Sequence, residues 1–159
     1  MSRLGELRTY VDKELSLLAD DNKRTNATAH LYGVSLAATM LAKIRGLDAE
    51  LAAMAGLLHD LYAYKSGSYD DHAHLGATLA RSILEKLDIT DREETDTICL
   101  AIFHHDDKLE IDSPMDELLK DADVIDHCFK DLSKPIKIKE QKRFDDLWVE
   151  LGMDKVKAV

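Results

Sequence analysis

The residues with chemistry to offer are seven histidines, His30, His59, His72, His74, His104, His105 and His127, and the aspartates among them, above all Asp60 and Asp123. Imidazole nitrogens and carboxylate oxygens converging in one cleft form the ligand set of a borderline or hard divalent cation. No Cys-x-x-Cys pair occurs, which disfavours a structural zinc site. Two ions ~3.5–4 Å apart, bridged by a carboxylate, would hold a phosphate and generate hydroxide from bound water near neutral pH. Whether these residues can meet depends on the elements that carry them.

Apolar periodicity predicts a run of helices. Leu4, Leu7, Val11, Leu15 and Leu18 form one stripe, ended by Asp20-Asp21-Asn22. A second helix spans about Asn26 to Arg45 and stops at Gly46, in the role of a C-terminal glycine. Asp48 caps a third, apolar nearly all round, which continues to about Leu61 and reads as the buried centre. After the loop Ser66-Gly67-Ser68, a fourth covers about Asp71 to Leu87, with Gly76, Leu79, Ile83 and Leu87 inward. Thr90 and Glu93 form a capping box for a fifth, which reaches about His105. Ser113-Pro114 opens a sixth, carrying Leu118, Ala122, Ile125 and Phe129, and Lys134-Pro135 breaks it. A short last helix carries Phe144, Leu147, Trp148 and Leu151, with Trp148 in the core.

Helix lengths bring the histidines together. From His30 the second helix runs ~24 Å before it turns, and the third returns ~18 Å to His59. An antiparallel hairpin therefore sets both at one end of the bundle. His72 opens the fourth helix at that end, and the fifth comes back to deliver His104 and His105. Asp60 belongs to the same pole, and Asp123 joins from the side. His74 is read as surface, His127 as a solvated helix end, and Asp121 as solvated or bonded to a ligand.

The motifs Ala29-His30, Gly56-Leu57-Leu58-His59-Asp60, His72-Ala73-His74-Leu75-Gly76-Ala77, Ile102-Phe103-His104-His105 and Asp121-Ala122-Asp123, in that order, resemble the HD-domain superfamily of metal-dependent phosphohydrolases. The resemblance covers about Ala29 to Lys130. It implies an all-α HD-domain bundle of about six to seven helices, read as one domain over residues 1–159 with a C-terminal helical extension over 131–159. It also implies that His30, His59, Asp60 and Asp123 bind a first metal, with Asp60 bridging to a second where one exists. His72 matches the family's additional histidine. His104 and His105 match the histidines that complete a second site, with His104 the first choice.

Some branches of the superfamily do not fit. No acidic residue lies between Leu61 and Tyr64, where alarmone hydrolases carry a Glu-Asp pair. Asp106-Asp107-Lys108 stands where cyclic-di-GMP phosphodiesterases carry Gly-Tyr-Pro. The elaborations of the large deoxynucleotide triphosphohydrolases are missing. The family's lysine three residues after the doublet is also absent; Lys65 is the nearest substitute.

The leading expectation is hydrolysis of a small phosphate ester, a nucleotide or related metabolite. Asp60 would hold the metal and orient or deprotonate the attacking water, and Lys65 would neutralise charge on the phosphoryl group. The cofactor is one or two divalent ions, with Mn, Fe, Co, Ni, Zn and Mg not distinguished by sequence. Two competitors use the same scaffold: a di-iron oxygenase and a non-catalytic, metal-stabilised signalling module.

Composition narrows the partners. With 21 Lys and Arg against 31 Asp and Glu, the net charge of −10 argues against a nucleic acid polymer or an anionic membrane. The basic stretch from Lys134 to Arg143, including Lys137, Lys139 and Lys142, reads as a solvated face that could frame an anion. Seven glycines and two prolines among 159 residues are about half the usual share, which argues against a sandwich or barrel. Two cysteines, no apolar signal core near Met1 and no long apolar run point to a cytoplasmic, reducing setting. A homodimer through the first or last helix is compatible with the sequence.

Overall fold

Side-chain caps set where several of the helices begin, in a computed structural model that describes residues 1–155. In α1 (Arg3–Ser16) the Ser2 hydroxyl accepts from the Gly5 N–H. Asp20 caps α2 (Asp21–Arg45) through the Lys23 N–H, and Gly46 ends it at φ 69°. The second helix thus starts five residues before the expected Asn26. The Asp20 carboxylate opens this helix rather than closing the previous one. Asp48 accepts from Glu50 and Leu51 at the start of α3 (Ala49–Leu58).

The third helix does not run on to Leu61. It ends at Leu58, Asp60 leaves helical geometry at φ −109°, ψ 6°, and a short α4 (Leu61–Ser66) follows. Then come α5 (His72–Leu87), α6 (Arg92–His104), α7 (Pro114–Phe129) and α8 (Ile138–Glu150), with a single 3₁₀ turn at Met153–Lys155. The capping box of α6 is Asp91 with Glu94, one residue beyond the expected Thr90 and Glu93. The Thr90 hydroxyl is taken instead by Thr95, 2.8 Å away. All elements among the described residues are helical, as the all-α reading requires. No helix among them is long and apolar enough to cross a membrane.

Every residue of α3 from Leu51 to Leu58 is buried, so it is the axis around which α1, α2, α6 and α7 pack. Contacts between His30 and His59, and from Ser35 to Ala53, show that α2 and α3 run antiparallel. Gly56 lets them approach: a Cβ there would lie 2.7 Å from the Ser35 backbone nitrogen and Cα. Leu31, Leu41, Met54, Leu57, Leu58, Ile98 and Leu119 fill the interior around this contact. Each buried side chain of this size contributes roughly 1.5–3 kcal/mol.

A second layer of contacts anchors the loop between α6 and α7. Lys120 is fully buried, yet its ammonium is satisfied by Glu110 O (2.9 Å), Asp112 (2.6 Å) and Glu117 (3.0 Å). Arg143 of α8 donates to Lys108 O (2.7 Å) and Glu110 O (3.0 Å) and pairs with Asp121 (2.9 Å). Asp121 is therefore neither solvated nor bonded to a candidate ligand: Arg45 takes its other oxygen at 2.8 Å. Cys99 and Cys128 are buried free thiols.

Replacing Gly56 by alanine must force α2 and α3 apart, because the obstructing atoms are backbone. A loss of ~1–3 kcal/mol is expected, measured by urea unfolding. An unchanged midpoint would mean that the close approach bears no strain.

Candidate metal centre

The break after α3 puts His59 and Asp60 at the rim of the axis helix, facing His30 on α2 and Asp123 on α7. His30 Nε2 lies 3.1 Å from His59 Nε2, 3.3 Å from Asp60 Oδ2 and 3.5 Å from Asp123 Oδ1. His59 Nε2 is 3.5 Å from Asp60 Oδ2 and 3.6 Å from Asp123 Oδ1. The second Asp60 oxygen faces another pair: Oδ1 is 3.4 Å from His72 Nε2 and 3.3 Å from His105 Nε2. These side chains line or adjoin a cavity of about 470 Å³ whose wall includes Asn26, Tyr64, Tyr69, Lys130 and Lys137.

The hydrogen bonds on the far side of each ring decide what faces inward. His59 Nδ1 lies 2.8 Å from Gly56 O, His72 Nδ1 2.8 Å from Tyr69 O, and His105 Nδ1 2.7 Å from Ile102 O. A carbonyl only accepts, so each Nδ1 carries a hydrogen and Nε2 is the atom that faces inward, with its lone pair available whenever the ring is neutral. His30 Nδ1 donates to Asp126 at 2.7 Å. Gly33 leaves room for that carboxylate, since a Cβ would meet Asp126 Oδ1 at 2.1 Å.

Lone pairs thus face lone pairs. Asp60 Oδ1 and Asp123 Oδ1 are buried with no hydrogen-bond partner. Buried acceptors without donors are costly, by roughly 1–3 kcal/mol each or more when charged. A cation among them removes the conflict. The spacing fits one: donor atoms ~2.1 Å from an ion stand ~3.0–3.4 Å apart in octahedral and tetrahedral shells. The residues present therefore suit one divalent ion among His30, His59, Asp60 and Asp123. They offer a second set in Asp60, His72 and His105.

The local charge agrees. Burial opposes the charge on Asp60, but His59, His105 and His30 hold its carboxyl well below the usual range. Burial likewise opposes ionisation of Asp123, and Lys108 with His59 overcomes it. The Lys108 ammonium, itself buried, donates to Asp123 Oδ2 at 2.6 Å and His105 O at 2.7 Å. Burial disfavours the His30 imidazolium, yet hydrogen bonds to Asp126 and Asp60 raise it to about 9. Burial pushes His105 the other way, towards the neutral ring. The carboxylates around His30 thus favour its protonated form when no ion is bound.

Of the residues singled out by sequence, His30, His59, Asp60, His72, His105 and Asp123 come together. His104 does not, and the preference for it over His105 is corrected. His105 continues the buried stripe of Ile98, Ala101 and Ile102, whereas His104 turns outward and binds Asp116 at 2.9 Å. Neighbouring helical residues point about 100° apart, so only one of the two can reach the cavity. Lys65 is also corrected: it pairs with Glu14 on α1 and is not part of the cavity wall. His74 is exposed, bonded to Asp71 and stacked on Phe103, as expected.

Sequence reasoning passed over three residues here, Asp126, Lys130 and Lys108, and misread a fourth, His127. Asp126 and His127 follow Asp123 at helical spacing, a signal that was available. His127 is no solvated helix end: it lines the cavity and packs parallel to His30, with ring centroids 5.2 Å apart. Lys130 adds one more turn and pairs with Asp126 at 2.7 Å. Lys108 lies between helices and carried no periodic signal.

A protein-family model described as HD domain matches residues 28–129. No curated protein and no solved structure matches the chain.

The electrostatics give a pH dependence. His30 is raised in the folded state, so its contribution is full below its unfolded value near 6.5 and is lost as pH rises through about 9. Chelator-treated protein should therefore lose stability between about pH 6.5 and 9, followed by thermal melts across that window. The depressed Asp60 and Asp123 act oppositely: their contribution, present above pH ~4, is lost on acidification. Loading with a divalent ion at pH 7.5 should release a proton, read by calorimetry in buffers of different ionisation heat.

Proposed function

The chain belongs to the HD-domain family, and from that premise we propose that it is a metal-dependent phosphohydrolase acting on a small phosphate ester, a nucleotide or related metabolite. The observation that carries this reading is the Asp60 carboxylate, which offers one oxygen to His30 and His59 and the other to His72 and His105. His30, His59, Asp60 and Asp123 would hold one ion, and Asp60, His72 and His105 a second. A divalent ion bound there polarises a phosphoryl oxygen and lowers the pKa of a water.

The remaining work falls to the chain's own residues. Asp60 would orient the attacking water or accept its proton. Lys108 neutralises the outer oxygen of Asp123, so that its inner oxygen remains free for a ligand. Lys130 and Lys137 supply positive charge at the cavity wall, in the role expected of Lys65. A volume of about 470 Å³ suits a metabolite, and the net charge of −10 counts against a polymeric nucleic acid. The buried free thiols Cys99 and Cys128 support a cytoplasmic setting.

The six-donor set favours one competing chemistry, oxygen activation by a di-iron pair. Iron with a mixed-valence spectrum and no phosphate release would select it. The direct test is the metal content of protein purified without chelator, followed by a phosphoester panel with Mn²⁺, Co²⁺, Ni²⁺ or Mg²⁺. Asp60→Ala is expected to lose its metal and at least ~10²-fold in kcat/KM. Lys137→Ala should raise KM by up to ~10-fold, whereas Lys65→Ala should stay within ~2-fold of wild type. Equal activity of wild type and Asp60→Ala would refute the enzyme reading.

A further inference from the structure

We propose that His127 is an additional ligand at this centre and that Glu140, on α8, is the positioning residue that aims it. The inference rests on the metal reading above and goes beyond it, because Glu140 lies outside the matched residues 28–129.

The other histidines of the centre share one arrangement. His30, His59, His72 and His105 each anchor Nδ1 on an oxygen and present Nε2 to Asp60 or Asp123. His127 repeats the pattern. Its Nδ1 is 3.0 Å from Glu140 Oε1, and its Nε2 is 3.4 Å from Asp123 Oδ1, the buried oxygen that has no hydrogen-bond partner. A carboxylate accepts from Nδ1–H, which leaves Nε2 with its lone pair in the neutral ring. The donor atoms of His30, Asp123 and His127 all lie within 4.8 Å of one another.

A nitrogen this close to an anionic oxygen gains only if a proton or a metal ion lies between them, and 3.4 Å is long for a charge-assisted hydrogen bond. The His127 side chain is 32 % exposed and has room to turn towards water. It is held inward instead, by a glutamate that is 2 % exposed. Burying that carboxylate against a single imidazole is accounted for if the imidazole must present one particular nitrogen. A carboxylate behind a metal-bound histidine does this, fixing both the tautomer and the ring orientation. Ion binding at the family core is thereby coupled to the packing of α8.

The test is a Co²⁺ titration of the full chain, followed by visible absorption and by competition with a chromophoric chelator. His127→Ala and Glu140→Ala should each bind cobalt ~10–100-fold more weakly than wild type, with altered absorption bands. Glu140→Gln, whose amide oxygen can still accept from Nδ1–H, should recover most of the affinity. Melts of the chelator-treated variants establish that α8 remains packed. If folded His127→Ala binds cobalt with wild-type affinity and spectrum, the proposal is overturned and the Glu140 bond serves packing alone. If wild-type protein takes up no cobalt, the underlying metal reading fails, which is a separate and distinguishable result.

Discussion

Two carboxylates, Asp60 and Asp123, are enclosed with their inner oxygens turned towards the Nε2 atoms of histidines. Such an arrangement repels itself, and only positive charge placed among the lone pairs relieves it. Lys108 supplies part of that charge from outside, through the far oxygen of Asp123. A proton on His30 supplies another part. What remains is a gap lined by donor atoms that could hold a small cation.

The helices achieve this with simple local devices. His59, His72 and His105 each tie Nδ1 to the carbonyl three residues earlier, so the ring is locked by its own chain. The end of α3 and the departure of Asp60 from helical geometry turn one residue out of the most buried helix and into the cleft. Gly56 and Gly33 then remove the side chains that would hold α2 away from α3 and from Asp126. Backbone anchoring of this kind leaves few soft degrees of freedom, which suits a centre that must stay assembled before any ion arrives.

Much of this was legible beforehand. Helix order follows from periodicity, and once α2 and α3 are taken as an antiparallel pair, the meeting of His30, His59, Asp60 and His72 follows from helix length. The choice between His104 and His105 was also decidable. Ile98, Ala101 and Ile102 set the buried phase of α6, and His105 continues it, whereas His104 follows the exposed Leu100. The break between α3 and α4 was not legible, because Leu57 to Tyr64 keeps an apolar pattern across it. Lys108 was hidden for a different reason: it sits between helices, where no repeat marks an inward residue.

What the amino-acid order determined by itself was the inventory: which groups can bind a cation, which helices carry them, and which pole of the bundle they reach. Those depend on local rules of capping, periodicity and rise per residue. What only the tertiary structure decided was the partner of each atom. Lys65 goes to Glu14, Asp121 to Arg45 and Arg143, and His127 to Glu140 on a helix beyond the family core. Such pairings depend on the relative position of helices distant in sequence, set by packing to within an ångström, and no local repeat encodes that distance.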